Sequence, residues 1–474
     1  MPIPFYFSAP ECMIRYFRIN DPYRLLGLLA LIGLLFTPQL IDLPPVTLVE
    51  LKGLVVGEKV AEGFMPYSEI IDHTAPLASW FYGFCNWLFG RSLLARHIFA
   101  FIILFLQSAF IGMMFIEKKA FTENTYVPSF IFSILTLLAF DIITLTADLA
   151  AFGFLLLALN NLFKQIEFRV QRDETLVNMG LYLGLSSLFT FSYLLFFPAF
   201  VLLLILFTRS SVRQYLLLCF GFLLPHVLVF TIYFLSDHQF DLIQRFYYYN
   251  FFIGRSALIS FTGLLVLCSI PLIYLLPALV VLNRNARLTK YQSQLLQAMF
   301  LWFVFALMHA WLSPDLRPQT LLPVAPAVAF LLTHFFLLIR RRKFVEFYAW
   351  VFVAGITTTG YLARYELLPV NWSGLFVPAM QSVTGKKILV LGNHPELWVQ
   401  NRLSPPFINW ELSRVVFDNA DEYRSVLLVN KLFKADPPQV IIDPESRMQP
   451  FFNRLPALAA RYKKSAIGWE AVSN

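Results

Sequence analysis

Charge is what this sequence has least of. Asp, Glu, Lys and Arg make up 14% of its 474 residues, against about 25% in soluble domains. That excludes an ordinary soluble fold, a disordered chain and a nucleic-acid-wrapping protein, each of which needs a solvated charged surface. Cysteine is scarce too. Cys12, Cys85, Cys219 and Cys268 lie far apart with no CxxC pair, so neither a disulfide framework nor a zinc site is indicated. Internal repeats and low-complexity runs are lacking. What fills the chain is apolar: 58% hydrophobic and 17% aromatic, with a mean hydropathy of +0.65. So much apolar surface with so little charge needs lipid as its solvent.

Eleven apolar stretches read as membrane spans: Leu25–Leu40, Leu93–Ile116, Tyr126–Thr144, Leu149–Phe163, Met179–Phe196, Ala199–Phe207, Tyr215–Leu235, Phe261–Leu282, Leu295–Leu312, Leu321–Ile339 and Phe344–Leu362. Leu77–Phe89 is too short to span and fits an interfacial or re-entrant helix. Basic residues fall in alternate loops: Arg15, Arg18 and Arg24; Lys118 and Lys119; Lys164, Arg169 and Arg172; Arg209 and Arg213; Arg284, Arg287 and Lys290; then Arg340 to Lys343. Cytoplasmic loops collect Lys and Arg, so the N-terminus is expected inside and, with an odd number of spans, the C-terminus outside. The net charge of +8 is then an orientation signal and no evidence for a nucleic-acid partner. The first span lacks a small-residue cleavage site and reads as a retained anchor.

The expected architecture is mainly α: a polytopic membrane helix bundle over residues 1–364, with a long first outer loop at 41–93 carrying interfacial helices. A small α/β outer domain is expected over 370–474, where Lys387–Leu391 and Val440–Ile442 read as strands and Asp436-Pro437-Pro438 as a turn.

Acids gather at the outer face. Glu50 follows the Pro44-Pro45 turn among apolar neighbours, and Asp148 heads an apolar helix. A carboxylate at such a face can deprotonate a hydroxyl or hold a divalent cation beside a phosphate. The plain reading is that Glu58, Lys59 and Glu62 are a solvated helix face and that Asp148 serves its helix dipole. Asp141 falls within a span and reads first as a structural polar contact. His97, His226, His309 and His334, in or beside apolar spans, read as hydrogen-bonded interior side chains.

The run Glu62–Leu77, the entry Leu88-Phe89-Gly90-Arg91, the helix start Thr146-Ala147-Asp148-Leu149, the run Leu321-Leu322-Pro323-Val324-Ala325-Pro326 and the ending Pro437–Asp443 with Arg461-Tyr462-Lys463 together resemble the GT-C glycosyltransferases of the protein O-mannosyltransferase and aminoarabinose-transferase type. The resemblance implies a multispanning enzyme of the cytoplasmic (inner) membrane with its site at the outer face. Such enzymes move a sugar from a polyprenyl-phosphate carrier to a glycan, lipid or protein hydroxyl, usually with inversion. On this resemblance Glu50 is the expected base and Asp148 a second acid, the two expected to share a divalent cation. Asp72, His73 and Tyr248 are candidate substrate contacts, and Arg245, Arg255 and Arg317 candidate partners of the lipid phosphate. Three departures stand out. Val49 replaces the first acid of an Asp-Glu pair, Phe191 a lysine, and Pro318-Gln319-Thr320 a His-Tyr or Arg-Tyr pair. They leave a second reading, a membrane scaffold or partner subunit that has lost catalysis.

Overall fold

The computed structural model describes residues 13–167, 172–254, 256–285, 288–339, 341–378, 384–465 and 468–472. The helices used below are α1 (Arg24–Ile41), α2 (Leu48–Ala61), α3 (Pro76–Phe89), α4 (Leu93–Glu117), α5 (Val127–Thr136), α6 (Ala147–Glu167), α7 (Asp173–Phe189), α8 (Phe196–Phe207), α9 (Val212–Leu235), α10 (Ser269–Asn285), α11 (Lys290–Leu312), α12 (Ala325–Leu338) and α13 (Arg342–Arg364). Two more, α14 (Trp410–Asp418) and α15 (Tyr423–Ala435), lie in the C-terminal segment.

The chain is a multi-pass membrane protein. All eleven apolar stretches are at least partly helical, but six described helices are long and apolar enough to cross a bilayer, or seven if a bent pair counts as one. The discrepancy has physical causes. Helix α5 is only 10 residues and every one is buried, so its apolar run serves a protein interior; periodicity cannot separate that from a lipid-facing span. The bent pair, Phe261–Leu267 and Ser269–Arg284, turns by 67°. Pro271 supplies the cause, since it has no N–H for the carbonyl of Leu267.

The segment Leu77–Phe89, read as interfacial, is helical within α3, with Phe84 and Trp87 facing outward. It packs closely on α2. A Cβ on Gly57 would lie 2.4 Å from the Tyr82 carbonyl oxygen, and one on Gly53 2.8 Å from the Tyr82 ring.

Beyond α13 the chain forms a five-stranded sheet in the order β4-β3-β5-β7-β6. Its strands are β3 (Lys387–Val390), β4 (Arg402–Leu403), β5 (Val440–Ile442), β6 (Tyr462–Ser465) and β7 (Gly468–Ala471). Strands β4, β3 and β5 run parallel, and β7 and β6 close the sheet antiparallel. A two-residue pair, β1 (Ser256–Ala257) with β2 (Asp315–Leu316), sits apart.

The sheet is fastened to the first loop by apolar and ionic contacts. Ile71, fully buried, belongs to the same apolar cluster as Leu389, Phe407, Phe433 and Ile441, and its N–H donates to Pro406 O at 2.9 Å. Lys59, 1% exposed, donates to Asp436 Oδ2 at 2.6 Å and to Glu62 Oε2 at 2.7 Å. Lys387 reaches Asp436 Oδ1 at 2.7 Å. Burial alone would raise the Asp436 carboxyl, but the bonds from Lys387 and Lys59 outweigh it and hold it below its ordinary value. Its contribution is therefore complete above the ordinary carboxylate range and is lost as pH falls through the depressed value.

Asp436 serves two lysines, whereas loss of Lys59 leaves it Lys387. Asp436→Asn is expected to destabilise the protein by about 3–5 kcal/mol, the range for breaking a buried pair. Lys59→Met, which also removes the buried charge, is expected to cost clearly less. Denaturant unfolding in detergent, followed through Trp398, measures both.

Candidate active site

A cavity of about 810 Å³ opens between α2, the loop before α3, the start of α6, the turn after α7 and the chain around β2. Its polar lining includes Lys52, Asp72, His73, Asp148, Asn250, Asp315 and Arg317, with Tyr82, Phe189, Phe191 and Phe251 as aromatic wall.

Helix α2 begins at Thr47, whose side chain accepts the Glu50 N–H at 3.3 Å. From there, positions 49, 52 and 53 share one face at helical spacing, and all three line the cavity. Glu50 lies about 100° away around the helix. It is 3% exposed, with its carboxylate 2.9 Å from His97 Nε2. The cavity therefore meets Val49, the position that lost its acid, and Glu50 stands behind it.

The start of α6 is held from α3: the Tyr82 hydroxyl accepts the Ala147 N–H at 2.8 Å. Asp148 follows. Its Oδ1 accepts from Thr190 at 2.8 Å, and its Oδ2 bonds Arg317. Arg317 is only 2% exposed and also binds Asp141 Oδ1 at 3.1 Å, while the Gln319 N–H donates to Asp141 Oδ2 at 2.8 Å. The guanidinium is thus enclosed by two carboxylates. Asp141 is the structural contact expected of a buried carboxylate, and Gln319, read above as a departure, is one of its partners.

Asp72 accepts from the Thr74 N–H at 3.0 Å and from the Thr74 hydroxyl. His73 Nδ1 lies 3.5 Å from Asp72 Oδ1 and 2.7 Å from Asn409 Nδ2. Lys52 and Asp315 differ from all of these. Both are half-buried and line the cavity; neither side chain has a hydrogen bond or ion pair among the described residues, although Lys52 acts electrostatically on Asp72 and Asp315 on Arg317.

Of the residues read from the sequence, Asp72, His73, Asp148 and Arg317 come together here. Glu50 does not. Arg245 is off the cavity, with Asp241 at 3.9 Å, and its Nη1 is buried without a partner. Tyr248 is 63% exposed and packs on Phe252 at 4.8 Å; the aromatic run instead sends Asn250 and Phe251 to the cavity. Arg255 lies outside the described residues. The expected cation site of Glu50 with Asp148 is not assembled, because they face different partners. No cluster of three or more His, Cys, Asp or Glu among the described residues suits a metal ion. Lys52, Asp315 and Asn409 were not singled out from the sequence. Lys52 was within reach, three residues from Val49 on one helix.

No family model matches the sequence, and no curated protein matches it. Solved structures do. ArnT from Cupriavidus metallidurans, bound to undecaprenyl phosphate, is similar over 70% of this chain and 63% of that one, with a TM-score of 0.52 and 14% identity. The chain thus spans less than two thirds of ArnT's length. The Archaeoglobus fulgidus oligosaccharyltransferase AglB, in complex with an inhibitory peptide and a dolichol-phosphate, is similar over 95% of this chain and 74% of that one, with a TM-score of 0.47 and 10% identity. The likeness to ArnT is one of fold.

Because Glu50 faces His97, Glu50→Gln is expected to alter thermal stability, read as the unfolding midpoint of the detergent-solubilised protein.

Proposed function

We propose that the protein is a glycosyltransferase of the cytoplasmic membrane that moves a sugar from a polyprenyl-phosphate carrier to an acceptor hydroxyl at the outer face, with inversion. The observation that carries this reading is the unpaired Lys52 and the unpaired Asp315 in one polar cavity on a fold shared with a structure bound to undecaprenyl phosphate. A second, almost wholly apolar cavity of about 510 Å³ has Leu316 of β2 in its wall, between the Asp315 and Arg317 that line the first, which suits the prenyl chain.

In this mechanism Asp315 takes the acceptor proton as the acceptor oxygen bonds to the anomeric carbon. The bond from that carbon to the phosphate oxygen breaks on the opposite side, and the lipid phosphate departs with the electron pair, its charge met by Lys52. Asp148, whose two carboxylate oxygens bond Thr190 and Arg317, holds the guanidinium at the cavity. The segment 370–474 is read as an outer domain closing the cavity from above, with the acceptor a glycan, lipid or protein. The basic loops support this orientation.

Lys52→Ala is expected to weaken undecaprenyl phosphate binding roughly ten- to hundredfold, the worth of one charge-assisted hydrogen bond. Asp315→Asn is expected to cut envelope-glycan product about a hundredfold or more at unchanged protein level while leaving that binding nearly intact. Unchanged product in Asp315→Asn, with unchanged binding in Lys52→Ala, would leave the scaffold reading.

A further inference from the structure

His73 stands at the cavity wall, yet its ring is held from the far end of the chain. Asn409 Nδ2 lies 2.7 Å from His73 Nδ1. Which end of the Asn409 amide faces the imidazole is settled by a different bond. The Asn409 Oδ1 accepts the Leu412 N–H at 3.2 Å as the N-cap of α14, so the NH₂ end is the one turned to His73. The same NH₂ is 3.3 Å from the Tyr249 hydroxyl, which donates to Glu411 Oε2 at 2.5 Å. Burial and that carboxylate raise the Tyr249 phenol above its ordinary value, so it keeps its proton and can accept from Asn409. Each donor in this chain has an acceptor only if His73 Nδ1 is unprotonated. Nε2 has no protein partner among the described residues and is not a buried orphan.

We infer that Asn409 is a positioning residue that fixes His73 as its Nε2–H tautomer, presenting one N–H donor of set direction to an oxygen of the ligand in the cavity. The purpose rests on the transferase reading, in which a sugar or phosphate oxygen is the partner; the tautomer does not. The groups facing the ring are accounted for. Asp72 Oδ1 is 3.5 Å from Nδ1, well beyond the 2.7 Å of the Asn409 contact, and the Thr74 bonds go to Asp72 Oδ2. Tyr249 packs at 5.2 Å between ring centroids. The Asn250 Nδ2 bonds the His73 carbonyl at 3.0 Å. Glu411 acts through Tyr249, and Lys52 lines the same cavity and acts on Asp72.

The test uses the full-length protein in detergent with ¹⁵N-labelled histidine at neutral pH, with no ligand. His73→Gln assigns the His73 signals by their loss. Wild type is expected to show a proton on Nε2 and a bare Nδ1. Asn409→Asp keeps a good N-cap for α14 but presents only acceptors to the ring, and is expected to move the proton onto Nδ1. Asn409→Ser also keeps the cap, removes the contact and is expected to give a mixture of tautomers. A proton on Nδ1 in wild type, or a tautomer unchanged in both Asn409 variants, overturns the inference. Either outcome beside an intact Lys52→Ala effect on undecaprenyl phosphate binding would fell this inference alone.

Discussion

The geometry of the cavity depends on one buried cation. Arg317 binds Asp141 on the 3₁₀ turn after α5 and Asp148 on the first turn of α6, and Asp148 in turn takes a bond from Thr190 after α7. Four separate pieces of chain are thereby brought to one point inside a largely apolar bundle. A lone guanidinium or carboxylate there would be prohibitively costly, so the three charges persist only as a set. The set also decides which groups remain for chemistry. Asp148 and Arg317 are spent on each other, and the uncommitted charges are those just outside the set, Lys52 and Asp315.

The loop segment between α1 and α4 is fixed from two directions. Below, α2 and α3 approach so closely at Gly53 and Gly57 that their relative placement has little freedom, and Tyr82 carries that placement to the start of α6. Above, Ile71 is part of the apolar core of the C-terminal sheet, and the next two residues are Asp72 and His73. This part of the cavity wall is thus the stretch of loop held between α2 with α3 on one side and the C-terminal sheet on the other.

Much of this was legible in the sequence, for stated reasons. Scarce charge and long apolar runs gave a membrane bundle, and motifs spread along the chain pointed to the fold shared with ArnT. Asp148 could be placed because an acid heading an apolar helix has a fixed position relative to the membrane edge. Glu50 was less tractable. Its neighbours and a family pattern favoured it, but the choice between positions 49 and 50 is one of helical phase, which is set by contacts of α2 with α3 and α4. The buried α5 looked like a span because a helix enclosed by protein and one enclosed by lipid present the same composition. Asn409 and Asp436 were beyond reach, since their partners His73 and Lys59 lie 336 and 377 residues away and no local pattern marks the pairing.

The separation of Lys59 from Asp436 has a consequence for how the protein is made. At about 5–20 residues per second, the ribosome needs roughly 20–75 s to pass from one to the other. Throughout that interval α2 carries a lysine destined for burial with only Glu62 to answer it, and Ile71 has no core to enter. The loop therefore waits, unfinished, while the bundle is inserted. It can take its final form only once the chain through Asp436 has been made.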